Sequence, residues 1–247
     1  DIADAAPEST PEPAPELTAG EEVKESASDM LPAGLSLCPG DSAQAIVVAN
    51  NNAKSSTAAL TLYEKTDGKW NEASEEMRAF IGRNGFKKSK NSPLSAQDKK
   101  IYKYEGDGCS PMGVFSIYEL FGWGEDPGFI MPYMLVGPDD YWVSGSTKEI
   151  YNVHINRKGG PDKNWPIYER LKIPSYKYAA IVDYNMGPDR IIGNGSAIFI
   201  HIADDRGYTS GCTAVSESNL LKILKWLDPQ KNPVLIQGTL QELNSNY

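Results

Sequence analysis

The chain has 247 residues, 40% of them hydrophobic and 23% charged. That length suits one large domain or two small ones, at about 100–200 residues each, and is ample for a core without metal or disulfide staples. No apolar run approaches the roughly 18–20 residues of a membrane-spanning helix, and two histidines (His154, His201) with three cysteines (Cys38, Cys109, Cys212) exclude a four-thiolate zinc site. A mixed thiolate–imidazole site has no support either, and no C-x-x-C pair offers redox chemistry.

The net charge of −9 is unevenly spread. Residues 1–29 hold nine acids and one base, Lys24, so the rest of the chain carries only −1. That near-neutral body lacks the basic balance that nucleic-acid binding needs.

The opening stretch is rich in Pro, Glu, Ala, Ser and Thr and has no aromatic residue. Such a segment cannot bury enough surface to offset the entropy of ordering it. Residues 1–34 therefore read as a disordered acidic tether and 35–247 as the folded domain. The abrupt start at Asp1 is that expected of an exported protein lacking its targeting segment.

From about Leu35 the texture changes. AQAIVVANN and TAALTLYEK read as a β-hairpin. Gly-punctuated short strands follow in IGRNGF, EGDGCSPMGVFSIYELFGWG and DYWVSGS, with a loop or short helix near Lys87–Lys100. Further strands are expected in YKYAAIVDYN and GSAIFIHIA. Leu220, Ile223, Leu224 and Leu227 fall on one helical face, with Ser216 as N-cap, Glu217 at the positive end and Pro229 beyond the C-terminus. NPVLIQG is expected to close the chain as a strand. The sum is a mostly β domain with one or two helices and long inserted loops.

Alternation through Ile198, Ile200 and Ile202 puts Phe199 and His201 on the opposite strand face. Eleven residues after His201 comes Cys212, behind Ser210 and Gly211 and just before the capped helix. Small residues there allow a sharp turn whose amides can converge on an oxyanion. A free thiol is little ionised at neutral pH, and a nearby imidazole can take its proton. The alternative is plain: most cysteines are buried and inert, and a lone strand histidine is usually structural.

The order of motifs resembles the L,D-transpeptidase (YkuD-like) catalytic domain. IGRNGF, EGDGCSPMGVFSI, Tyr151–Asn152, IVDYN, GSAIFIHI, TSGCTAV and LKWLDP occur in the family's order over roughly residues 43–238. The resemblance implies a YkuD-like β-sandwich or mixed β-barrel in an exported bacterial enzyme acting on peptidoglycan stem peptides, with no cofactor. It implies Cys212 as nucleophile, His201 as base, the carbonyl of Ile202 orienting the imidazole, and oxyanion donors around Ser210, Gly211 and Cys212. A thioester would form with loss of D-alanine. An amine would then resolve it into a cross-link, or water would resolve it as in an L,D-carboxypeptidase. Carbapenem acylation of the same thiol is expected. The sequence departs from many members in having Ser210 for a second histidine, Thr213 and Ala214 after the cysteine, and a shorter His-to-Cys loop. These departures keep a non-catalytic wall-binding module open.

His154 reads as structural or surface, with a place in the cleft as the alternative. EGDGCSPMG reads as a loop brace near the site or a plain turn network. Trp123, Trp142 and Trp165 read as packing or a substrate lid. Cys38 and Cys109 are a possible disulfide pair only if the protein is exported. Sortases need an Arg after the cysteine, papain-like enzymes place Cys before His, and neither S-x-x-K nor G-x-S-x-G occurs. Removing residues 1–29 is expected to leave the melting temperature unchanged; a clear drop would show that the segment packs on the domain.

Overall fold

The computed structural model describes residues 34–245. The tether expected over 1–34 therefore lies outside the described residues, save Gly34. Among the described residues, fourteen strands form two sheets. The larger contains β1 (Gln44–Asn50), β2 (Thr57–Thr66), β3 (Lys69–Glu72), β4 (Met77–Phe80), β5 (Phe86–Lys88), β6 (Ser110–Gly122), β7 (Tyr133–Leu135), β11 (Ala179–Val182), β12 (Phe199–Ile202), β13 (Thr213–Val215) and β14 (Val234–Thr239). The smaller contains β8 (Asp140–Ser144), β9 (Tyr151–Asn156) and β10 (Tyr168–Arg170). Two α-helices follow β13 and β14: α1 (Glu217–Trp226) and α2 (Leu240–Asn244).

Eight strands close a ring in the order β1-β14-β6-β11-β12-β13-β4-β2, with β2 pairing back to β1. The fold is a mixed β-barrel, as the sequence led us to expect. The β1–β2 hairpin is antiparallel, whereas β1–β14 and β12–β13 are parallel. Alternation along the strands sorts the apolar side chains. Ile46, Val48, Leu60, Leu62, Ala180, Ile200 and Leu235 point to the interior cluster, against which α1 lays Leu220, Ile223 and Leu224, joined by its C-cap Leu227. On the outer face of β1 and β14, Val47 and Ile236 pack with Leu35, Leu240 and Leu243. On the outer face of β11 and β12, Ile181 and Phe199 pack beneath Trp142 of the small sheet and Leu171.

Three features differ from the sequence reading. Part of what reads as long inserted loops folds into the three-stranded sheet, which covers the β11–β12 face. EGDGCSPMGVFSIYELFGWG holds one thirteen-residue strand rather than several short ones. The chain does not close on NPVLIQG, because Thr239 accepts from Glu242 N–H and starts α2. Cys38 and Cys109 are both free: Cys38 packs at the β1–β14 outer cluster, while the Cys109 thiol faces Asn84 and Asp107 carbonyls.

Helix α1 starts where expected, with Ser216 Oγ accepting from Asn219 N–H at 3.3 Å. Ser216→Ala is expected to cost about 1 kcal/mol and to lower Tm by about 2–4 °C for a domain of this size. Thermal denaturation checks this, and an unchanged Tm would deny the cap any role.

Candidate active site

The parallel register sets Ile200 beside Thr213, His201 beside Ala214 and Ile202 beside Val215. Cys212 precedes β13 by one residue, which puts it beside Phe199 at the start of β12. Both His201 and Cys212 line one cleft of about 380 Å³ between the barrel wall and the small sheet. They are 6% and 7% exposed, so their polar groups depend largely on partners within the protein.

His201 Nδ1 bonds the Ile202 carbonyl at 2.9 Å. Nδ1 is therefore the protonated nitrogen, leaving Nε2 as the ring's acceptor. The ring packs edge-on to Tyr176, with centroids 5.3 Å apart. Burial holds the His201 pKa below its ordinary 6.5, against the opposing Ile202 bond. The Cys212 thiol donates to the Ala197 carbonyl at 3.2 Å, and Sγ accepts from Phe199 N–H at 3.4 Å. Burial pushes this thiol up to about 12, the Glu169 carboxylate adds to the rise, and the Phe199 bond and Lys103 oppose it. Among the described residues no hydrogen bond joins the thiol to the imidazole. Both shifts favour the neutral forms, thiol and imidazole, over thiolate and imidazolium.

The turn before Cys212 is braced from several sides. Gly211 has φ +150°, and a Cβ there would stand 2.9 Å from the Cys109 carbonyl oxygen, which only glycine avoids. Gly211 N–H donates to Thr209 Oγ1 at 3.0 Å, and that hydroxyl donates to the Cys212 carbonyl at 2.7 Å. Ser110, fully buried, donates to the Gly211 carbonyl at 2.8 Å. Ser210 is exposed, with Arg83 Nη1 at 3.5 Å.

The EGDG stretch serves both as a brace and as cleft wall. Asp107 accepts from Lys103 Nζ at 2.7 Å, Tyr104 N–H at 3.0 Å and Cys109 N–H at 2.9 Å. Glu105 lines the cleft and accepts from the Tyr151 hydroxyl (2.7 Å) and the Ser196 hydroxyl (2.6 Å). Across the cleft, Glu169 accepts from the Tyr176 hydroxyl at 2.6 Å. Burial raises the Glu169 pKa, the Tyr176 bond opposes the rise, and the charge of Glu105 adds to it. Sequence reasoning missed Glu169, Tyr176 and Lys103: no motif marks Glu169 or Lys103, and Tyr176, the first residue of YKYAAIVDYN, sits in a turn ahead of the strand that forms there.

Asn152 forms a buried junction. Its Oδ1 accepts from Trp142 Nε1 (2.8 Å) and Ala197 N–H (2.9 Å), and its Nδ2 donates to the carbonyls of Tyr184 (3.0 Å) and Asn185 (2.9 Å). Trp142 is thereby packing and not a lid. Trp123 bonds the Ile173 carbonyl, and Trp165 packs with Tyr141 and Tyr168. His154 lies outside the cleft lining and bonds Asp140 at 2.7 Å. Among the described residues no group of three or more His, Cys, Asp or Glu could hold a metal ion, and no helix is long and apolar enough to cross a membrane.

The family model of the L,D-transpeptidase catalytic domain (YkuD) matches residues 45–236. No curated protein matches the sequence. Two crystal structures of the helical cell shape determining protein Pgp2 from Campylobacter jejuni, one of them a point mutant, are similar. The mutant is 17% identical with TM-score 0.39, over 83% of this chain and 52% of that one. The other is 16% identical with TM-score 0.38, over 87% and 59%. The chain thus spans just over half the length of those proteins.

A neutral resting pair has a measurable signature. Alkylation of Cys212 by iodoacetamide, followed by peptide mapping, is expected to climb with pH beyond 9. A reactive plateau at neutral pH would instead reveal a thiolate–imidazolium pair.

Proposed function

Because the chain belongs to the L,D-transpeptidase catalytic-domain family, we propose that it acts on peptidoglycan stem peptides as a cysteine acyltransferase. The observation that carries this reading is the convergence in one cleft of a buried thiol, an imidazole fixed through Nδ1, and the braced 209–212 turn. Cys212 Sγ would attack the carbonyl carbon of the diamino residue that precedes the terminal D-alanine. As the C–S bond forms, the thiol proton passes to His201 Nε2. Substrate binding would bring the thiol to the ring, since the resting thiol is bonded to Ala197. The Gly211 amide is engaged at rest, so the Ser210 and Cys212 amides are the proposed oxyanion donors. The tetrahedral adduct collapses by breaking the C–N bond, and His201 returns the proton to the departing D-alanine amine. The resulting thioester is resolved by a side-chain amine of a second stem, giving a cross-link and restoring the thiol. The carbonyl of Ile202 keeps the imidazole in the required tautomer throughout. This reading places the protein outside the cytoplasm and makes it a target for carbapenem acylation.

The alternative acceptor is water. An L,D-carboxypeptidase shares every step up to the thioester.

The test is intact-protein mass spectrometry after carbapenem treatment, with D-alanine release from a tetrapeptide stem measured in parallel. A single adduct and release are expected for the wild type, and neither for Cys212→Ala. His201→Ala is expected to slow release by about 10²–10⁴-fold. Release undiminished in Cys212→Ala would refute the mechanism, and absence of both signals in the wild type would favour a wall-binding module. Adding an acceptor amine separates cross-linking from hydrolysis.

A further inference from the structure

We propose that Asn152 is a positioning residue for the Cys212 thiol, acting through the Ala197 carbonyl to which the thiol donates. The proposal rests on the reading of Cys212 as nucleophile.

Three observations lead there. Ala197 has φ +54°, a left-handed conformation that a residue with a side chain seldom adopts unaided. What holds it is the bond from its N–H to Asn152 Oδ1. The conformation turns the Ala197 carbonyl toward Sγ, while Phe199 N–H approaches the same sulfur. An acceptor and a donor two residues apart on one segment therefore bracket the thiol and fix its direction.

The side chain that does this is itself specially placed. Tyr151 pairs with Ser144 and Val153 with Val143, so Asn152 is the extra residue of a bulge in the β8–β9 hairpin. Its own φ is +56°. The bulge turns its amide inward, where it is 1% exposed and makes all four of its possible hydrogen bonds. One of its donors reaches the carbonyl of Asn185, which is also left-handed at φ +52°. The neighbouring Tyr151 hydroxyl accepts from Gly195 N–H at 3.1 Å, so consecutive residues of β9 hold the 195–197 run. No shorter or purely apolar side chain spans from the bulge to the Ala197 amide.

The bond to Ala197 favours the protonated thiol and also aims it. Loss of Asn152 frees the Ala197 peptide to leave its left-handed conformation, and the sulfur loses its acceptor. Two effects of opposite sign follow. The thiolate becomes easier to form, so small electrophiles react faster. The nucleophile loses its direction, so chemistry that needs a defined approach slows. A brace that merely holds the fold together would slow both.

The experiment measures both rates in wild type, Asn152→Ala and Trp142→Phe. In Asn152→Ala, alkylation of Cys212 by iodoacetamide at pH 8 is expected to rise about three- to fourfold: one pH unit in the thiol midpoint raises the thiolate fraction about tenfold, and the less basic thiolate is about threefold less nucleophilic. Release of D-alanine from the tetrapeptide is expected to fall about tenfold or more in kcat, with KM unchanged. Trp142→Phe removes the other donor on Asn152 Oδ1 and leaves Ala197 alone; its alkylation rate is expected to stay within about twofold of wild type. Asn152→Ser, which admits water but is too short to reach Ala197, should repeat the Asn152→Ala pattern and stands in if that variant does not fold. In wild type the S–H stretch of Cys212, assigned by its loss in Cys212→Ala, is expected at the lowered frequency of a hydrogen-bonded thiol. The proposal is overturned by an unbonded S–H frequency, by unchanged or slower alkylation in the folded Asn152 variants, or by equal acceleration in Trp142→Phe. It is also overturned if wild type releases D-alanine and the folded Asn152 variants match its kcat. If wild type releases no D-alanine, the acyltransferase reading fails on its own, while the alkylation and S–H arms still decide the thiol's positioning.

Discussion

Ten residues, 203–212, carry the chain from the end of β12 back to the start of its parallel partner β13. Parallel neighbours usually need a crossover of a dozen or more residues. So short a return leaves little freedom in where it ends, and the register delivers Cys212 beside Phe199, two positions short of His201. The turn that makes this possible needs the Gly211 conformation, the Ser110 hydroxyl from β6 and the Thr209 side chain. Barrel closure, second sheet and helix α1 all serve to keep those two strand ends in register.

Electrostatics follow from the same burial. A thiol and an imidazole placed in a nearly dry wall both lose the solvation that favours their charged forms, so each stays neutral. Around the pair the cleft is lined by Glu105, Glu169 and Lys103, the last paired to Asp107.

Much of the barrel was legible locally. The β1–β2 hairpin and α1 carry their own periodicity, and the face shared by Phe199 and His201 follows from alternation alone. Two elements had signals that went unread: Asp67–Gly68, which joins β2 to β3 in left-handed conformations, and Thr239 with Glu242, which caps α2. The small sheet was only partly legible: DYWVSGS reads as a strand and is β8, but the return of β10 to its edge depends on pairing across the long segment 157–167. For the same reason Glu169 on β10 gave no warning of reaching the cleft. Tyr151–Asn152 stood out as a motif, but the bulge that turns Asn152 inward exists only once β8 and β9 pair.

The ring of eight strands also decides where load enters. Leu35 and Leu243 share one cluster on the outer face of β1 and β14, so both described ends of the domain lie on that wall. Strand β1 is four places from β12 in either direction around the ring, half a circumference from the cleft. Tension delivered through residue 34 runs along β1, which is gripped by six residue pairs on each side. Those ladders resist in shear, yielding together rather than one at a time, and the strain falls on the wall opposite the cleft.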